Sequence, residues 1–190
     1  MKKIFLLIPL SLASIIAMIF CSFESGNFTI FTSQNGKTKF ISDAPLELIK
    51  AESNKLGSVI DIAKRTFAFT ITMETFEGFN SPLQREHFLE NYLEAEKFKA
   101  ATFKGKIVEE VDLSVEGTYN VRVKGMINIH GVEKEKIIKA KIIVKSNEID
   151  IESNFQVPLE EHNIKIPKLV NQKIAALIIV EVKAILLPKK

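Results

Sequence analysis

Val121-Arg122-Val123-Lys124-Gly125-Met126-Ile127-Asn128-Ile129 alternates apolar and polar residues. After the turn-forming pair His130-Gly131, the alternation resumes in Ile138, Ala140, Ile142 and Val144 against Lys139, Lys141 and Lys145. A period of two sends successive side chains to opposite faces of a strand, so each run makes one apolar and one wet face. Two such runs joined by a tight turn are antiparallel neighbours.

The same pattern extends outward in both directions. Ile149, Ile151, Phe155 and Val157 continue the apolar face, and Ile178, Val180, Val182, Ala184 and Leu186 form a last strand that stops at Pro188. Upstream, Phe67, Phe69, Ile71 and Met73 alternate with Ala68, Thr70, Thr72 and Glu74. Phe103, Ile107, Val111, Leu113 and Val115 read as one further strand, its phase weakened by Gly105 and Glu109. Weaker runs occupy 37–43, 45–51 and 57–62. Turn chemistry at Ala63-Lys64-Arg65, Glu116-Gly117, His130-Gly131 and Ser146-Asn147 separates the runs, and such short connections make the sheet a meander. Eight or nine strands with one apolar face must pack on another layer or close on themselves. One short helix cannot cover them, so an all-β, closed eight-stranded antiparallel barrel is the economical fold.

One helix interrupts the strands. Ser81 suits the N-cap, Pro82 the first helical position, and Gln84 completes a capping box. Phe88, Leu89, Tyr92 and Leu93 then give the segment 81–94 an apolar stripe that belongs against the barrel. A second helical turn or irregular crossover is expected at 167–174, after Pro167.

The N-terminus decides the compartment. Met1-Lys2-Lys3 is a short positive region, and Ile4 to Phe20 is uncharged and apolar. Residues 1–22 therefore read as a cleaved export signal before one domain at 23–190, exported to the periplasm or secreted. An uncleaved anchor and acylation of Cys21, which stands where a lipoprotein carries its lipid, are the alternatives. About 165–170 residues then remain, enough for one domain with a full core.

Composition excludes several classes of function. The formal charge of +3 falls to +1 once Lys2 and Lys3 are removed, which argues against a nucleic-acid partner. A single Cys permits neither an intramolecular disulfide nor a thiolate metal cluster. His87, His130 and His162 lack close metal-ligand spacing, and no nucleophile elbow, phosphate-cradling loop or dinucleotide fingerprint occurs. No catalytic residue, metal or cofactor is therefore expected, and the histidine trio is kept as the alternative for an acid/base or metal site. Glu86, Glu90, Glu94 and Glu96 read as the solvated face of the helix. Lys165, Lys168 and Lys173 read as solvent-exposed, or as a basic rim able to meet an anionic headgroup.

The inward faces carry the functional reading. Eight strands stand at the boundary between a filled core and a cavity for one ligand. Phe67, Phe69, Ile71, Phe103, Ile107, Val123, Gly125, Ile127, Ile142, Phe155 and Val180 are the candidate ligand contacts. Gly125, with Ala140 and Ala184, lowers the local side-chain volume. It either lets a ligand pass close to the backbone, so that Gly125→Leu would shorten the accommodated chain, or it relieves barrel curvature. A forty-carbon chain at about 0.3 kcal/mol per heavy atom would contribute on the order of 12 kcal/mol, enough for nanomolar binding.

Ser81-Pro82-Leu83-Gln84-Arg85-Glu86-His87-Phe88-Leu89-Glu90-Asn91-Tyr92-Leu93, with Phe98 and Ala101-Thr102-Phe103-Lys104-Gly105-Lys106-Ile107, resembles the signature of the YceI-like family. Ile129-His130-Gly131-Val132, Phe155-Gln156-Val157 with Ile164-Lys165-Ile166-Pro167, and Ser42-Asp43-Ala44-Pro45-Leu46-Glu47 add to the resemblance, which spans about residues 37 to 188. Lys99 and Glu133 depart from the family's usual Pro and Thr. The resemblance implies a lipocalin-like barrel with helices near one end, exported to the periplasm, that holds a polyisoprenoid or other long-chain amphiphile. It implies no catalytic residues. The partner expected is thus a long-chain lipid, with membrane contact for ligand exchange and a homodimer as open alternatives, the oligomeric state being unspecified by the sequence; a metal- or histidine-dependent enzyme and a filled barrel serving structure or interaction are the alternative functions.

Overall fold

In the computed structural model, which describes residues 29–189, eight antiparallel strands close into a barrel. They are β1 (Ile30–Asp43), β2 (Leu48–Asp61), β3 (Thr66–Thr72), β4 (Ala100–Ile107), β5 (Gly117–Ile129), β6 (Val132–Lys145), β7 (Glu148–Pro158) and β8 (Leu177–Pro188). Each pairs with the next, and β8 returns to pair with β1. Closure gives every strand two neighbours, although β2 before Gly57 runs past the end of β3. The leader and Cys21 lie outside the described residues.

The late strands follow the alternation read from the sequence. Val121, Val123, Ile127, Ile138, Ile142, Val144, Ile149, Ile151, Val157, Ala184 and Leu186 are all buried. The β5–β6 hairpin turns at His130-Gly131, both at positive φ (53° and 71°), the geometry of the two-residue turns that match strand twist. The early strands are longer than expected. The runs 45–51 and 57–62 fall largely within the single strand β2, although 45–47 form the turn before it and Ile62 the turn after it; 37–43 is the last half of β1, where register shifts around Gly36 interrupt the alternation without ending the pairing.

One expected strand segment is corrected. β4 ends at Ile107, and residues 108–116 form turns. The Asp112 carboxylate accepts hydrogen bonds from the Ser114 amide at 2.9 Å and the Ser114 hydroxyl at 2.6 Å, a local turn that competes with strand pairing. Leu113, only 1% exposed, is thereby packed into the barrel core.

The helix forms as its capping signals direct, but it is shorter than expected. Ser81 Oγ accepts from the Gln84 amide at 3.2 Å, and Gln84 Oε1 accepts from the Asn80 amide at 3.0 Å, one residue before the usual capping-box donor. Helix α1 (Pro82–His87) then widens into a π turn over Phe88–Tyr92. The 167–174 connection contains a single 3-10 turn, Lys168–Val170. Among the described residues no helix is long and apolar enough to cross a membrane.

Two apolar clusters divide the interior. One gathers Phe31, Ile60, Phe67, Ile107, Leu113, Val123, Ile142 and Leu186; the other gathers Ala51, Leu56, Ile71, Met73, Phe76, Leu93 and Ile164 beneath the helix. The first is filled by side chains. The second surrounds a cavity.

Candidate functional site

The cavity has a volume of about 490 Å³, within the ordinary range for a ligand pocket, and its walls are mainly apolar. Phe69, Phe103, Phe155 and Val180 point inward yet are only half-buried, because they face this space rather than neighbouring side chains.

An aromatic cluster forms the upper wall. Phe40 of β1 stacks on Phe88 at 5.2 Å between ring centres, and Phe76 and Phe79 pack against Phe40 at 5.5 and 5.8 Å. Phe76 and Phe79 come from the segment between β3 and α1, which is held where β3 has ended and β2 would otherwise be unpaired. Glu52 and Glu77 exchange two backbone hydrogen bonds at 2.8 and 2.9 Å, and Ser53 Oγ and Thr75 Oγ1 share another at 2.6 Å. Arg85 of α1 donates to the carbonyls of Phe76 and Glu74 at 3.0 and 2.6 Å. Helix and segment are thus tied together over the cavity.

The mouth lies between α1, the 44–48 turn and the 168–178 connection. Gln84 Nε2 donates to Glu47 Oε1 at 2.8 Å, the Leu46 amide to the Gln172 carbonyl at 2.9 Å, and the Ala175 amide to Ser42 Oγ at 2.9 Å. The charged side chains of the lining, Glu47 and Lys173, stand at this end, as does the imidazole of His87. Inside, burial pushes the Tyr92 phenol above its ordinary pKa, so the ring remains neutral. Leu46, Leu83, Leu169 and Leu177 project into solvent around the mouth, Leu169 with 93% of its surface exposed, and Lys168 and Lys173 lie beside it.

Of the sequence-derived candidates, Phe69, Ile71, Phe103, Ile127, Phe155 and Val180 line the cavity together. Phe67, Ile107, Val123 and Ile142 sit instead in the filled cluster and do not reach it. Gly125 lines neither; it is pressed against Gly105 of β4, and a Cβ there would lie 2.2 Å from the Lys104 carbonyl oxygen. That close approach of two backbones, rather than open lumen, is what the missing side chain serves. Among the lining residues that the candidate set lacked are the four phenylalanines Phe40, Phe76, Phe79 and Phe88.

The histidines do not form a trio. His87 is exposed at the mouth, whereas His130 and His162 meet on the outside of the cavity wall. His130 Nδ1 lies 3.0 Å from the His162 carbonyl and its Nε2 lies 3.0 Å from Glu94 Oε1. His162 Nδ1 donates to the Val132 carbonyl at 3.1 Å, and the ring is fully buried. Burial pushes its pKa below the usual value. Glu94, His130, Gly131 and Asn163, all at positive φ, are brought together at this corner, with the Phe98 ring edge-on to His130 at 4.6 Å. Among the described residues no group of three or more His, Cys, Asp or Glu is placed to hold a metal ion.

Comparison with known proteins agrees with this architecture. The chain matches the YceI-like domain over residues 20–185. A polyisoprenoid binding domain from Saccharophagus degradans, implicated in plant cell wall breakdown, superimposes with a TM-score of 0.72 at 13% identity, covering 85% of this chain and 99% of that one. BcnA of Burkholderia cenocepacia gives 0.66 at 14% identity, with 80% and 95% covered. The YceI protein of Campylobacter jejuni gives 0.58 at 15% identity, with 74% and 85% covered. At such identities these likenesses concern the fold alone. No curated protein sequence matches the chain significantly.

Proposed function

From the premise that this chain belongs to the YceI-like domain family, we propose that it binds and carries one long apolar chain, polyisoprenoid or fatty-acyl, in the cavity beneath α1. The observation that carries this reading is the cavity itself: about 490 Å³ of mainly apolar space in a barrel whose other half is filled by side chains. A protein that needed only a core would fill both halves, since interiors pack to crystal density. The polyisoprenoid-binding neighbour from Saccharophagus degradans supports the choice of ligand class.

Size sets the reach of the site. At about 30 Å³ for each water-sized atom, 490 Å³ takes in on the order of sixteen carbons, so a chain of forty would leave much of its length outside the mouth. The enclosed part contributes about 5 to 13 kcal/mol, depending on whether ligand efficiency or methylene transfer is used. Displacement of a neutral fluorescent probe by a series of straight-chain lipids tests the reading. Affinity should rise with length and level off near sixteen carbons; no displacement at any length would refute it.

The protein is further proposed to act in the periplasm or outside the cell, with Lys2, Lys3 and the apolar run 4–20 in support. It exchanges ligand at a membrane, through the mouth rimmed by Leu46, Leu83 and Leu169. Fractionation that found the chain in the cytoplasm would remove the first of these proposals. Binding rather than catalysis remains the reading, because the two histidines that meet are committed to backbone and Glu94 partners away from the cavity.

A further inference from the structure

The backbone of the 168–178 connection is pinned across the mouth on both sides of Lys173. The Gln172 carbonyl accepts from the Leu46 amide and the Ala175 amide donates to Ser42 Oγ, both at 2.9 Å, while the Lys173 amide donates to the Val170 carbonyl at 2.9 Å. Val170, Lys173 and Ile174 all line the cavity, and Lys173 is exposed, so the lysine stands where the apolar lining meets solvent. Glu47, the other charged side chain of the lining, is already engaged: its Oε1 accepts from Gln84 Nε2 at 2.8 Å and from Asn80 Nδ2 at 3.4 Å. Lys173 forms no ion pair among the described residues.

The far end of the cavity offers nothing to a charge. Gly36 of β1 closes it, packed so tightly that a Cβ there would lie 3.1 Å from Ala184 Cβ and 3.2 Å from Leu56 Cβ. The nearby Thr38 hydroxyl, beside Val182 of β8, is buried within the wall and closed to the space. A carboxylate at that depth would lose its water with no cation to replace it. At Lys173 the same group keeps part of its water and gains an opposite charge. An acidic amphiphile therefore enters tail first and leaves its head at the mouth. The volume agrees, because a straight chain of about sixteen carbons fills the space and brings its head to the rim.

We propose that the ligand is a long-chain fatty acid whose carboxylate pairs with Lys173 Nζ at the mouth while its acyl chain lies beneath Phe40 and Phe88. A forty-carbon chain would carry its head well beyond the reach of this lysine. One cation matches one negative charge, whereas the second charge of a phosphate monoester would find no second cation in the lining and would meet Glu47. This inference rests on the reading of the cavity as a lipid site and, within that reading, selects the fatty-acyl class over the polyisoprenoid.

The test compares dodecanoate with 1-dodecanol as competitors of N-phenyl-1-naphthylamine on the wild type, Lys173→Gln and Lys173→Arg, in low-salt buffer at about pH 8, where a carboxyl group is ionised. Lys173 is exposed, so the fold should tolerate both substitutions. The ratio of dodecanoate to dodecanol affinity is expected to fall about fivefold in Lys173→Gln, equivalent to about 1 kcal/mol, the upper end for an exposed ion pair. It should recover in Lys173→Arg, and the difference should shrink as salt is added. An unchanged ratio in Lys173→Gln, with both competitors still displacing the probe, overturns the inference alone. Tighter binding of dodecyl phosphate than of dodecanoate by the wild type does the same. Failure of all three competitors on the wild type overturns it together with the reading of the cavity.

Discussion

Gly105 and Gly125 face each other across the β4–β5 pair so closely that a Cβ on Gly105 would lie 2.1 Å from the Lys124 carbonyl oxygen, and one on Gly125 2.2 Å from that of Lys104. Those clashes are with backbone, which cannot rotate away. Gly125→Ala should therefore destabilise the fold by about 2–3 kcal/mol, read as a lower urea midpoint, while the chain-length preference of the folded fraction stays as in the wild type. A stable variant with a shortened preference would restore Gly125 to the lumen.

The two halves of the interior should respond differently to truncation. Ile142, 2% exposed in the filled cluster, has no free space beside it, so Ile142→Ala should cost about 2–5 kcal/mol of stability and leave ligand affinity unchanged. Phe103 already borders the cavity, so Phe103→Ala should cost less stability and weaken binding instead. Urea unfolding beside probe displacement separates the two, and equal effects on binding would contradict the division.

His162 gives the fold a pH dependence of definite sign. Its ring is buried neutral and its pKa is pushed down by desolvation, so around pH 6 the unfolded chain binds a proton that the folded one does not. Stability is then complete above the ordinary histidine pKa of about 6.5 and declines as the pH falls through it. Thermal unfolding between pH 7.5 and 5 should show that decline. His162→Asn, whose amide can still donate toward Val132, should be less stable at pH 7.5 and show a shallower decline. A slope identical to wild type would assign the effect to other groups.

The leucines at the mouth predict membrane contact. Leu169 is almost wholly exposed between Lys168 and Lys173, and residues 163–180 contain no acidic side chain. Burial of an apolar side chain in the interface and attraction of lysines to anionic lipid act together there. Vesicles of phosphatidylcholine with phosphatidylglycerol should sediment the wild type, and Leu169→Glu should reduce the bound fraction several-fold. No binding by the wild type, or equal binding by both, would remove this contact.

Particular residues explain why the fold was more legible than the site. In β5 to β8 most inward positions are apolar and most outward ones polar, with Met126, Ile137, Ile185 and Leu187 among the outward exceptions, so alternation set the register. In β1 the inward positions include Ser33, Gly36, Thr38 and Ser42, and the same geometry produced only a weak signal. Phe40 was hidden by that polar context. Phe76 and Phe79 lie in an irregular segment with no period to read, and they reach the cavity only because the Glu52–Glu77 pairing brings the segment over the barrel. Which inward residues fill the barrel and which border space depends on the packing of Leu113 and on the placement of the helix. Neither leaves a periodic trace in the sequence.

The central claim is that the space beneath α1 is built to hold a lipid chain. Native mass spectrometry of protein purified without detergent, followed by solvent extraction and lipid analysis, tests it most directly. A folded species carrying one apolar lipid per chain, removed by extraction and restored when that lipid is added back, is the result predicted. Recovery of ligand-free protein alone, with no uptake of prenyl lipids or fatty-acyl chains on incubation, would contradict it.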